Sequence, residues 1–110
     1  MKIIISTFLL LGSICLSADS LVTEQERSMC QYWAASASQA AEKRDGGMPI
    51  EDLVDAIMSF PATVMPDNVK MLTRSAAQWI YYHSNIAQED SYKEGYEMCI
   101  DYHANDRDTF

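Results

Sequence analysis

Four stretches of the chain carry the apolar periodicity of amphipathic helices, and breaks at Gly46-Gly47, Pro61 to Pro66 and Asn85 separate them. From about Glu24 to Asp45, Met29, Trp33, Ala37, Ala40 and Ala41 recur at helical spacing, with Cys30 beside them. Thr23 and Glu26 make the Thr-x-x-Glu capping box that begins such a helix. Gly46-Gly47 ends it, since glycine takes the left-handed conformation at little cost. A short second segment, Pro49 to Met58, sets Ile50, Leu53, Val54, Ile57 and Met58 on one face and Glu51, Asp52 and Asp55 on the other. Phe60-Pro61 stops it. The third segment, Pro66 to His83, has a stripe of Val69, Leu72, Ala76, Trp79 and Tyr82. The fourth, Gln88 to His103, aligns Tyr92, Tyr96, Cys99, Ile100 and His103 on one face and Glu94, Glu97 and Asp101 on another. Gly95 within it costs about 1 kcal/mol relative to alanine and points to a close crossing with another helix.

The first residues follow a different pattern. Lys2 precedes an uncharged, largely apolar run from Ile3 to Leu16, and small residues follow. A bilayer-spanning helix needs roughly 20 apolar residues, so the run has the length and order of a secretory signal. Residues 1–18 are expected to be that signal, with cleavage near 17–20, after Ser17 or Ser20. A lipidated Cys15 is disfavoured by Ile14, where lipoprotein signals carry a small residue. One helical domain is expected over 19–104 and a flexible polar tail over 105–110.

The full chain of 110 residues has a net charge of -8. Cleavage after Ser17 removes Lys2, leaving seven basic against sixteen acidic residues, or -9. An acidic balance of this size argues against nucleic acid, whose phosphates require clustered Lys and Arg, and against anionic membrane surfaces. No second apolar run is long enough for stable membrane insertion. A basic protein partner fits the charge. The alanine-rich first helix can pack within its own domain or against another copy in a homodimer.

Of three cysteines, Cys15 falls in the expected signal. Cys30 and Cys99 remain near opposite ends of the mature chain. In an oxidising compartment such a pair reads as a disulfide, here closing a loop of about seventy residues worth roughly 4 kcal/mol. The Cys-x-x-Cys spacing of a metal or redox pair is missing. The fold expected is therefore all-α: a compact four-helix bundle with one disulfide joining the first and last helices.

These features resemble a group of small exported bacterial proteins with an early cysteine, an alanine-rich helix ending in Arg-Asp-x-Gly, a mid-chain helix with an aromatic end and a late cysteine. The matching residues are Cys30, Ala34 to Ala41, Arg44-Asp45-Gly46-Gly47, Trp79 to Tyr82 and Cys99. The resemblance covers most of the mature chain and implies a helical disulfide domain with no assigned activity. Cys99-Ile100-Asp101-Tyr102-His103 is also similar to part of the periplasmic immunity proteins that neutralise type VI secretion amidases. That similarity is confined to these residues and carries no contact residue over.

Candidate chemistry is sparse. In the Arg44-Asp45-Gly46-Gly47 turn every residue has a structural use: Arg44 at the helix C-terminus, Gly46 as cap, Asp45 as an acceptor. His83 and His103 end the third and fourth helices, but Asp101 and His103 are two apart and face different ways. Neither a His-x3-His nor a His-Glu-x-x-His occurs, and no Gly-x-Ser-x-Gly elbow is present. No metal, cofactor or catalytic residue is therefore assigned. The surplus of Trp79, Tyr81, Tyr82, Tyr92, Tyr96 and Tyr102 exceeds what so small a core can hold, and tyrosine favours binding hot spots. The expected function is a small exported acidic binding protein without catalytic activity, of inhibitor or immunity type. Its candidate partner surface comprises Glu51, Asp52, Asp55, Tyr81, Glu94, Glu97, Asp101 and Tyr102. The alternatives are a small periplasmic enzyme with a carboxylate/histidine cleft and a structural envelope component.

Overall fold

The computed structural model describes residues 21–108, with side chains through Asn105. The expected signal, Cys15 within it and the last two residues lie outside the described part. The described residues form four helices: α1 (Glu24–Asp45), α2 (Ile50–Met58), α3 (Asp67–Tyr82) and α4 (Gln88–Asp108). There is no strand among them.

The first helix begins as its sequence dictates. Thr23 Oγ1 accepts from the Glu26 amide at 3.1 Å, and the Glu26 carboxylate accepts from the Thr23 amide at 2.9 Å. Each side chain thus satisfies a backbone donor that the first turn leaves unpaired. At the other end the left-handed residue is Gly47, at φ 95°, while Gly46 stays right-handed. Met48 N–H donates to Lys43 O and Gly47 N–H to Arg44 O, both at 3.0 Å. This is the Schellman arrangement, and it moves the conformational demand one residue past the expected cap.

Helix α1 is central, with α4 packed along one side and α3 along another, while α2 rests mainly on α3. Ala34, Ala37 and Ala41 are buried within the chain itself, so the slim alanine face is used for intramolecular packing. A Cβ built on Gly95 would stand 3.4 Å from Trp33, 3.5 Å from Trp79 and 3.6 Å from the Ala34 Cα. The glycine is thus the crossing point of α4 over α1. The two indoles lie 5.1 Å apart, tilted by 50°, which is within the range of favourable aromatic pairs. Cys30 and Cys99 are joined by a disulfide with their Cα atoms 5.5 Å apart, tying α1 to α4.

These contacts set apart two substitutions at Gly95. Gly95→Ala should leave stability unchanged or raise it by up to about 1 kcal/mol, because the added methyl meets ordinary contact distances and gains helix propensity. Gly95→Val should cost about 2 kcal/mol or more by overpacking against both indoles. Urea-induced unfolding followed by tryptophan fluorescence separates the two.

Three sequence expectations are corrected. On α3 Ala76 is buried and Leu72 and Trp79 pack against the core as expected, but full burial also falls on Ala77 and Ile80, while Tyr82 is 85% exposed. The core selects the small and β-branched residues that let α3 approach α1, and the phenol turns to solvent. Met58 on α2 and Tyr92 on α4, both expected inside, are exposed. Helix α4 continues to Asp108 instead of ending near His103. Ala104 is buried at 2% exposure and belongs to the same apolar cluster as Val22, so packing extends the helix past the point where polarity suggested fraying.

Candidate functional site

The Arg44 side chain, 12% exposed, is a structural clamp. Its Nη1 donates to Ile80 O at 2.9 Å and His83 O at 3.3 Å, and its Nη2 to Ile86 O at 2.8 Å. Nε donates to Asp45 at 3.0 Å. One guanidinium from the end of α1 therefore caps carbonyls at the end of α3 and in the loop to α4, where a helix leaves acceptors unpaired and favours positive charge. A second cation acts similarly. Lys70 is buried on α3 and donates to Met58 O, the last carbonyl of α2, at 3.3 Å. Nothing in the local sequence marks Lys70 apart from its position one turn after Asp67.

The candidate partner surface divides. Glu51, Asp52 and Asp55 are exposed on α2, with the first two in its opening turn, where carboxylates favour the helix dipole. Glu94, Glu97, Asp101 and Tyr102 are exposed on α4. Glu94, Glu97 and Asp101 follow i, i+3, i+7 spacing and line one face. Tyr81 differs from the rest. It is half-buried, and its hydroxyl donates to Met48 O at 2.7 Å, holding the α1–α2 turn against α3. Burial pushes the Tyr81 phenol above its usual 10.0, and the Arg44 guanidinium pulls it partly back. A raised folded-state value means that the unfolded chain loses this proton first. The stabilisation is complete below about pH 10 and is lost as pH rises through the folded value. The stability difference between the wild type and Tyr81→Phe, measured by urea midpoint, should therefore shrink on raising the pH above about 10.

Two apolar grooves flank α1. The larger, of about 410 Å³, lies between α1, α2 and α3. Its walls repeat at helical spacing: Ser36, Gln39, Ala40 and Lys43 on α1, Leu53, Ala56, Ile57 and Phe60 along and just beyond α2. Ala77 and Thr73 of α3 also line it. The smaller, of about 370 Å³, runs beside the disulfide and is lined by Met29, Trp33, Leu72, Ser75, Met98, Cys99, Tyr102 and His103.

The second groove holds what resembles catalytic parts. His103 Nδ1 lies 3.6 Å from the Glu26 carboxylate, while the other oxygen of that carboxylate is engaged in the α1 cap. Ser75 Oγ accepts from the Trp33 indole at 3.4 Å. Among the described residues no hydrogen bond joins Ser75 to His103, so base and hydroxyl share a groove without forming a relay. Cys30, Cys99 and His103 bring ligand-type atoms within 4.8 Å of one another. Because both sulfurs are joined to each other, this oxidised cluster offers a cation only the imidazole and no thiolate. His83, which shares neither groove, places Nδ1 2.7 Å from Trp79 O. Among the described residues no helix is long and apolar enough to cross a membrane.

Comparison with protein-family models, with curated proteins and with solved structures returned no match.

Proposed function

We propose that this chain is an exported binding protein without catalytic activity, of inhibitor type, whose α4 face docks on a basic protein. The observation that carries this reading is the exposed carboxylate row of Glu94, Glu97 and Asp101 beside exposed Met98 and Tyr102. Among the described residues none of these carboxylates has an ion-pair partner. The arrangement supplies long-range attraction from the charges and a desolvated anchor from the phenol and thioether. The disulfide agrees with a non-reducing compartment.

The test is pull-down of the oxidised mature protein from its own envelope fraction at physiological salt. It is run beside the Glu94→Lys/Glu97→Lys/Asp101→Lys variant, with circular dichroism to check that the variant folds. A basic protein retained by the wild type and lost by the variant is the expected result. No recovered partner, or equal retention by both, would overturn the proposal.

A second reading, a small hydrolytic enzyme, is favoured by one observation: the Glu26–His103 pair at the groove that also contains Ser75. It requires turnover of an activated ester that disappears in both Ser75→Ala and His103→Ala.

A further inference from the structure

The groove between α1, α2 and α3 is independent of the α4 face, and its shape has a definite origin. Helix α2 rests on α3 and only grazes α1. Alanines stand at 40, 56 and 77, where larger side chains would close the gap. Leu53, Ile57, Met48, Met65 and Phe60 complete an apolar trough, and Phe60 remains 43% exposed at its edge. A volume of about 410 Å³ lies within the range of small-molecule sites.

The polar groups of the groove are not scattered. Gln39 and Lys43 lie one turn apart on the α1 wall and both are exposed. Thr73 spends its hydroxyl on Val69 O at 2.8 Å. Lys43 is the one charged side chain among the described residues lining the groove, and it is a cation in a chain of net charge -8. Among the described residues it has no ion-pair partner. The α1 cap fixes the backbone from which it projects, because Lys43 O accepts from Met48 N–H in the Schellman turn.

We infer that this groove binds a single-chain amphiphile with a carboxylate head. The acyl chain lies along Leu53, Ala56, Ile57 and Phe60, and the carboxylate meets Lys43, with Gln39 as a second donor. A neutral chain gains only the apolar contacts, and a cationic head meets like charge at the rim.

The test is titration calorimetry of the oxidised protein with decanoate, with decyltrimethylammonium as a probe of equal chain length and opposite charge, both below micelle formation. Wild type should bind decanoate saturably and at least about tenfold more tightly than the cation, a gap equivalent to about 1.4 kcal/mol. Lys43→Glu, a surface change that leaves the core intact, should reverse that preference. Ala56→Phe should fill the trough and abolish binding of both probes, with an unchanged circular dichroism spectrum. Absence of decanoate binding to the wild type overturns the inference. So does equal affinity for the two probes, or decanoate affinity unaffected by either substitution. Because neither substitution touches α4, failure here leaves the proposed protein-docking face to its own test.

Discussion

Replacing Cys30 and Cys99 together by alanine lowers the unfolding free energy by about 4 kcal/mol. The disulfide spans a sequence separation of 69. Cutting it returns to the unfolded chain the conformational freedom of a loop covering most of the domain. A small domain has only about 5–15 kcal/mol of total stability, so the doubly substituted protein loses a large share of its margin and should unfold at a clearly lower temperature. Cys30 is fully buried and Cys99 is 8% exposed. Alanine is therefore the better replacement, since serine would add hydroxyls in need of partners. Urea unfolding of oxidised wild type and double variant measures the difference. A loss below about 1 kcal/mol would mean that the denatured chain keeps its ends together without the covalent link.

Arg44→Ala is expected to cost about 3 kcal/mol. The substitution leaves Ile80 O, His83 O and Ile86 O without the donor that now serves them. A hydrogen bond to a charged group contributes about 1.5–3 kcal/mol, and water reaching the more exposed acceptors would offset part of the loss. The adjacent Asp45 contributes little, because its side chain is 49% exposed and surface pairs are weak. Arg44→Lys should recover less than half of the loss, since an ammonium cannot reproduce the planar fork that reaches both α3 and the following loop. Denaturation midpoints test this directly. Equal stability of Arg44→Lys and wild type would show that charge alone, not the fork, stabilises this end of α3.

Helix positions were legible in the sequence because local rules and tertiary packing agree there. The Thr23–Glu26 box and the Gly46-Gly47 stop set α1 without help from distant residues. The cysteine pair was legible because its wide spacing, without a Cys-x-x-Cys, leaves few uses for it besides a disulfide. The buried face of α3 was less so. Val69, Leu72, Ala76, Trp79 and Tyr82 fit helical periodicity, and Leu72 and Trp79 do pack against the core, yet the fully buried positions are Ala76, Ala77 and Ile80 and Tyr82 faces solvent. Aromatic residues can lie at the margin of a stripe with their polar ends in water, and periodicity alone does not say which margin. Tyr81 reads as a surface candidate because no local rule links it to Met48, thirty-three residues away. The groove was hidden for a related reason. Alanines at 40, 56 and 77 look like helix formers in sequence and become a trough only when three helices bring them to one place.

The staple between α1 and α4 also changes what a protease can accomplish. The segment from Ser59 to Val64 is exposed, so it is the natural place for a cut in an environment rich in peptidases. Cys30 lies before that segment and Cys99 after it. Both fragments would therefore remain one covalent molecule, with α1 and α4 still paired. Hydrolysis of the peptide chain would be uncoupled from loss of the α4 face, and a nicked protein could go on presenting that face until its disulfide is reduced.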